Sequence, residues 1–327
     1  MITEPRPSTA RPAQPGRTLS QVGWVPRIVD ERATSVPFHL LAPTVVFLLV
    51  IVLVPFVLGL YVSLTDLNQY TIANWLHAPF IGLGNYVAAL TRPGAVSASF
   101  PQSIWASVSF SVLTTLAIVP ISIVAALLMD GDFAGRGIFR SIFLLPYVIP
   151  TFVNAIIWRL IFLNNYGLAD RFLPLVGLGS RTDFWLIGPR TFWAMVIADV
   201  WASWPFVYLM VLAALQSVPG DVKDAAEIDG AGATARLFGV TLPLIRPTLT
   251  LAILLSTIFH FNNFTLPFVL FGTPPPPPVD VLPLTVYINS FQIFNFGLGS
   301  AMSVLTLLIM MIPATLYMRL VHLGGME

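Results

Sequence analysis

The sequence predicts an all-α, polytopic membrane protein with six transmembrane helices, and three observations lead there. Hydrophobic residues make up 56% of the 327-residue chain and charged residues only 9%. With a mean hydropathy of +0.83, that composition fits a helical membrane protein and no soluble class. Six apolar runs are long enough to cross a bilayer as helices, and polar segments separate them. Lysine and arginine also divide unevenly: eleven lie in the tail, the even-numbered loops and the C-terminus, against four in the other loops. Cytoplasmic segments carry the excess of positive charge, so both termini are expected in the cytoplasm.

Residues 1–37 contain six prolines and five arginines with few large apolar residues, and read as a mostly disordered cytoplasmic tail. No signal-peptide pattern precedes the first apolar run, which is too long for an h-region and is read as a retained span. The transmembrane domain is expected over 38–322, with spans at about 40–64, 104–129, 141–163, 191–215, 248–271 and 298–318. Pro43 and Pro55 are tolerable in the first span where neighbours satisfy the freed carbonyls. Residues 66–102 form an external loop anchored at the interface by Trp75 and Tyr86. Pro146 and Pro150 break the third span. The last external loop, 273–297, contains the run Pro274–Pro278, a stiff polyproline spacer.

The longest internal segment not built for lipid is 221–247, DVKDAAEIDGAGATARLFGVTLPLIRP. Small residues there (Ala225, Ala226, Gly230, Ala231) let another backbone approach, and Asp224, Glu227, Asp229 and Arg236 punctuate them. Gly230 is the residue that can turn the chain without strain. Pro243 and Pro247 sit where a new helix can start. The expectation is two short helices joined at a bend on the membrane surface, shaped for a protein partner.

Several chemistries are excluded. A net charge of +1 with no basic patch excludes nucleic acid. The chain has no cysteine, and no His/Cys/carboxylate cluster has metal-ligand spacing. Lys223 is the single lysine and precedes Asp224, so no phosphate-binding Gly-Lys-Ser/Thr loop exists. The chain is therefore expected to be no enzyme: ATP and magnesium, if transport uses them, bind partner subunits.

The segment 224–247 resembles the cytoplasmic EAA loop of bacterial ABC importer permeases. That pattern runs EAA, three residues, Gly, nine residues, Ile, one residue, Leu-Pro. Here it reads Asp224-Ala225-Ala226, Gly230, Val240, then Leu242-Pro243, with Asp for Glu and Val for Ile. The stretch Phe80–Tyr86 also resembles a short signature that follows the first span in sugar permeases. The resemblance implies the type I importer permease fold in the bacterial plasma membrane. It implies a second homologous permease subunit, two ATPase subunits and an extracytoplasmic solute-binding protein as partners. It assigns ATPase coupling to Asp224, Ala225, Ala226, Asp229, Gly230 and Ala231. The implied cargo is a sugar, and permeases for oligosaccharides, monosaccharides, glycerol phosphate and polyols share these motifs. Where that family has a Gly-Gly-Pro stretch, this chain has its proline run.

An ionisable group inside a span points to function by default. Asp199 is such a group: a carboxylate that faces a wet cavity and accepts from sugar hydroxyls, or one that pairs with Arg159. Arg159, near the outer end of its span, also reads as snorkelling. In the fifth span, Ser256 to Phe264 alternates rings with hydrogen-bonding groups. Asn262 and Asn263 there read equally as sugar contacts or as interhelical glue. Residues 191–272 are similar to the sugar-holding permease subunit of maltose-type importers, sharing Trp201, Pro205 and Phe261-Asn262-Asn263-Phe264. Carried over by position, that resemblance places sugar contacts on Asp199, Ala202, Ser203, Phe206, Ser256, Phe259 and His260. An ion-coupled carrier using Asp199 and Arg159, and a membrane enzyme using Asp199 with His260, are the rival readings.

Overall fold

The computed structural model describes residues 36–94, 96, 98–177 and 184–324, and leaves out the side chains of 36–40, 223, 224 and 320–324. The expected tail lies outside the described residues except for its last two, and Arg181 lies outside them as well. Among the described residues two units are distinguished, with the boundary between Phe56 and Val57.

Helix α1 (Val36–Leu48) and a widened π turn (Leu49–Leu53) lie in the first unit, and α2 (Val54–Ser63) carries the chain on across the boundary. The π turn has a cause. Pro55 has no N–H for the carbonyl of Ile51 and its ring would strike that carbonyl, so the turn before it opens. Every side chain from Leu41 to Leu58 is exposed, which suits a helix whose neighbour is hydrocarbon.

The second unit is built on α4 (Phe100–Asp130) and α8 (Thr191–Ser217), which pack along most of their length. Helix α11 (Leu242–Phe261) lies against both. Ile118, Ala126, Val207, Tyr208, Leu215 and Ala252 are fully buried in their shared core. Lipid tails are as apolar as these side chains, so burial alone does not hold helices together here. Close approach at alanines and hydrogen bonds between helices do. Ser122 Oγ donates to the Trp204 carbonyl and Ser111 Oγ to the Thr257 carbonyl, both at 2.7 Å. Interhelical bonds of this kind contribute about 0.6 kcal/mol each on average.

Among the described residues five helices are long and apolar enough to span, or six if one bent pair counts as a single span. That pair is α5 (Arg136–Val148) and α6 (Thr151–Ile161), bent by 88°. The third expected span is thus two short helices meeting at Ile149–Pro150, because proline restricts the residue before it to extended backbone. The fifth expected span also divides: α11 ends at Phe261, residues 262–264 are non-helical, and α12 (Thr265–Phe271) follows.

The segment 221–247 departs from two short helices in one respect. Helix α9 (Gly220–Ile228) is short, but α10 (Ala233–Arg236) runs through a π turn (Leu237–Thr241) directly into α11. Pro243 does not start a helix. Its missing N–H faces Gly239 inside the π turn, the device seen before Pro55.

The segment 273–297, read from sequence as an external loop, carries a buried helix, α13 (Leu282–Tyr287). Val279, Leu282, Leu284 and Ile288 are fully buried. Ser107 Oγ of α4 accepts the Leu282 N–H at 2.7 Å, satisfying a donor orphaned at the helix start. Buried Asp280 accepts from the Ala98 N–H at 2.9 Å and from Thr285 Oγ1 at 2.8 Å. This apolar run is too short to span, and its proline run made it read as loop. Helix α14 (Phe296–Gly324) closes the fold.

Candidate functional site

Asp199, Ala202, Ser203 and Phe206 are spaced three and four apart on α8 and share one face. Ser256, Phe259 and His260 occupy the last turns of α11. All seven line a single cavity of about 410 Å³. Of its remaining wall, the sequence offers Asn262 and Asn263 as sugar contacts or as interhelical glue, and does not assign the rest to the site. The α5–α6 bend contributes Pro146, Tyr147, Ile149, Thr151 and Asn154, and the break after α11 contributes Asn262 to Thr265. The signal for the bend was present in Pro146 and Pro150, but proline spacing does not say which side a bend faces.

The carboxylate of Asp199 is buried and doubly engaged. Asn263 Nδ2 donates to Oδ1 at 2.9 Å. His260 Nδ1 lies 2.6 Å from Oδ2 without the geometry of a hydrogen bond. Asn263 Oδ1 meanwhile accepts the Leu266 N–H at 3.2 Å and so caps the start of α12. Of the two readings of Asn263, the interhelical one describes these bonds. Asn262 Nδ2 donates to the Ile258 carbonyl of its own helix at 3.3 Å. Arg159 does not reach Asp199: its Nη1 donates to the Val269 carbonyl at 3.1 Å. The Asp199–Arg159 pairing is thereby replaced by Asp199–His260.

Four buried polar atoms at this cavity lack a hydrogen-bond partner among the described residues: Ser256 Oγ, His260 Nε2, Asn154 Oδ1 and Asp199 Oδ2, the last with His260 Nδ1 beside it. A buried orphan costs about 1–3 kcal/mol, so such groups are usually spent on a ligand, water or partner. Ser203 Oγ is committed, donating to the backbone carbonyl of Asp199. The apolar wall is aromatic. Tyr147 and Phe206 have ring centroids 6.1 Å apart, and Phe206 and Phe259 meet edge to face at 5.6 Å. A wall of this kind offers ring faces beside donors and acceptors.

The second region is the turn after α9. Gly230 adopts φ +74°, left-handed backbone that a Cβ would strain. Its N–H donates to the Glu227 carbonyl and the Ala231 N–H to the Ala226 carbonyl, each at 3.0 Å. This is a Schellman closure that satisfies the last carbonyls of α9. Across the turn, Arg236 Nη1 donates to Glu227 Oε2 at 3.0 Å. Ala225, Asp229 and Gly230 are exposed, Ala226 and Ala231 half-buried, and the side chain of Asp224 lies outside the described residues. Ile228 and Phe238 present large apolar side chains to the outside, 87% and 65% exposed.

The chain resembles proteins of known role over most of its length. A trehalose/maltose transport system permease protein, MalF of Thermococcus litoralis, is 32% identical over 289 residues, covering 88% of this chain and 94% of the relative. The sulfoquinovosyl glycerol transport system permease protein SmoG of Agrobacterium fabrum is 29% identical, covering 86% and 89%. Among solved structures, a bacterial alginate ABC transporter in complex with an alginate pentasaccharide-bound periplasmic protein superposes with a TM-score of 0.73. At 19% identity, over 88% of this chain and 94% of that one, it establishes the shared fold. Residues 118–323, from the middle of α4 through the cavity, the Gly230 turn and almost all of α14, match the binding-protein-dependent transport system inner membrane component, and this chain belongs to that family.

Proposed function

We propose that this chain is the permease subunit of an ATP-driven importer and that a sugar, of the di- or oligosaccharide kind or a related carbohydrate, crosses the membrane through the Asp199–His260 cavity. The observation that carries the reading is the convergence of seven positions, from two helices, on one aromatic and hydrogen-bonding wall. Sugars present apolar faces edged by hydroxyls. Phe206, Phe259 and Tyr147 suit the faces, and Ser256, His260 and Asn154 suit the hydroxyls. Relatives named for trehalose/maltose and sulfoquinovosyl glycerol transport support a carbohydrate cargo.

The partners are a second, homologous permease subunit, two ATPase subunits that hold ATP and magnesium, and an extracytoplasmic binding protein that delivers the sugar. The excess of arginine in the tail and even-numbered loops supports cytoplasmic termini and a cytoplasmic Gly230 turn. In this reading α9 and the Gly230 turn dock on an ATPase, with Asp224, Ala225, Ala226, Asp229 and Ala231 at the contact. Exposed Ile228 and Phe238 supply apolar area for the same interface. The helix Ala233–Phe261 then runs without interruption from that turn to His260. At 1.5 Å per residue it is a rod of roughly 40 Å. Closure of the ATPase dimer moves one end of this rod, and Ser256, Phe259 and His260 ride on the other.

The test is uptake into proteoliposomes holding the assembled importer. Phe259→Ala is expected to lower sugar uptake tenfold or more, while assembly and basal ATP hydrolysis survive, since stacking is lost without a change of fold. Wild-type uptake by Phe259→Ala places the sugar path elsewhere. Uptake driven by an ion gradient without ATP overturns the importer reading itself.

A further inference from the structure

We infer that the cavity admits uncharged carbohydrate and rejects anionic analogues of the same size, and that Asp199 sets this selectivity. The inference rests on the reading of this cavity as the substrate path. Among the described residues lining it there is no lysine or arginine, and the charge-bearing groups are Asp199 and His260. Their side chains are 9% and 4% exposed and 2.6 Å apart. With a neutral imidazole the pair carries −1; with an imidazolium it carries 0. In neither state is it net positive. The cationic side chain within α6, Arg159, is committed to the Val269 carbonyl. Arg140, at the start of the bent pair, donates to the Met129 carbonyl at 2.6 Å.

A carboxylate, sulfonate or phosphate entering this wall gives up its water and meets no compensating positive charge from it. Asp199 adds repulsion that low dielectric strengthens. A neutral sugar meets neither cost. Its hydroxyls supply the hydrogen-bond partners that Ser256 Oγ, His260 Nε2 and Asn154 Oδ1 lack. Asn263 matters to the selectivity because its bond to Oδ1 holds the carboxylate in place at the cavity wall.

The chain contains no cysteine, so one thiol can be placed in the cavity and its labelling read on this subunit without background from the rest of the chain. Ala202→Cys, in the assembled importer in proteoliposomes, is reacted with methanethiosulfonate reagents of similar size carrying positive, negative or no charge. The cation:anion rate ratio is expected to fall by about tenfold when Asp199→Asn is added, because one buried charge is removed at short range. Comparing ratios cancels any change in thiol reactivity common to all reagents. His260→Gln, which holds the wall at −1, is expected to leave the ratio equal or raise it, and keeps the test open if Asp199→Asn does not assemble. A ratio unmoved by Asp199→Asn, or lowered by His260→Gln, overturns the inference. In a second arm, maltotetraose and tetragalacturonate are offered as protectants of the thiol from the neutral reagent. Protection by the neutral sugar alone supports the inference, and protection by the uronate overturns it. Protection by neither overturns the carbohydrate reading of the cavity, while the reagent ratio still decides the charge preference.

Discussion

A single carboxylate with three neighbours organises the cavity. Asp199 Oδ1 accepts a hydrogen bond from Asn263 Nδ2, Oδ2 sits against His260, and the backbone carbonyl of the same residue accepts from Ser203. Asn263 divides its amide between Asp199 and the start of α12. Asn263→Ala should therefore uncap α12 and leave Asp199 Oδ1 unpaired at once. The expected loss is on the order of 1 kcal/mol, above the average for one interhelical bond because two are removed. Arg159→Ala breaks a bond to a backbone carbonyl at an exposed position and should cost less. Thermal unfolding of the detergent-purified importer measures both. A larger drop for Arg159→Ala than for Asn263→Ala would reverse this ranking and return Arg159 to the centre of the polar network. From sequence, Asp199 stood out as an intramembrane acid, but its partner did not. Arg159 was the obvious opposite charge, whereas His260 and Asn263 lie 61 and 64 residues away on or just beyond α11, and only their packing against α8 brings them together.

At the scale of one element, the Gly230 turn is where local backbone chemistry meets the coupling role proposed for it. Its left-handed residue closes α9, and α10 begins three residues later. A Cβ at Gly230 meets no atom within 4 Å, so the penalty of substitution is conformational and not steric. Gly230→Ala should cost about 1–2 kcal/mol locally, the penalty of left-handed backbone for an L-residue, and fray the end of α9. Basal ATP hydrolysis is expected to persist while its stimulation by sugar-loaded binding protein falls severalfold. Full stimulation in Gly230→Ala would mean that the turn's shape is not what the ATPase reads. The spacing of small residues made this turn legible. It did not reveal that the second helix continues into the span, because Pro243 and Pro247 look like helix starts. Two of the three π turns among the described residues lie just ahead of a proline, where the turn that would receive the missing N–H widens; Pro120, Pro205 and Pro313 sit inside α-helices without one.

Across the second unit, its early residues and the start of α14 are tied at a point where only glycine fits. Asn85 Nδ2 donates to the Ser63 carbonyl at 3.0 Å and to the Thr65 carbonyl at 2.8 Å, locking α3 (Gly84–Thr91) onto the chain leaving α2. The start of α14 joins the same knot: the Gly297 N–H donates to the Leu67 carbonyl at 2.8 Å. The stretch Phe80–Tyr86, singled out from sequence by its resemblance to a sugar-permease signature, supplies the asparagine of this knot. Its counterpart at Gly297 had no signal, since it depends on contact between segments more than 200 residues apart. A Cβ on Gly297 would lie 2.2 Å from the Thr65 carbonyl oxygen and 2.8 Å from Asn85 Nδ2. The first of these is backbone and cannot swing aside. Gly297→Ala must then push α14 away from residues 65–67 and break the Leu67 bond. A cost of about 1–3 kcal/mol is expected, the usual range for overpacking a tight site. Gly59→Ala is the control, because a Cβ there meets nothing within 4 Å. The expected result is a lower unfolding temperature and faster proteolysis near residues 65–85 for Gly297→Ala alone. Equal melting of the two variants would show that this knot yields without cost and that α14 is held by its other contacts.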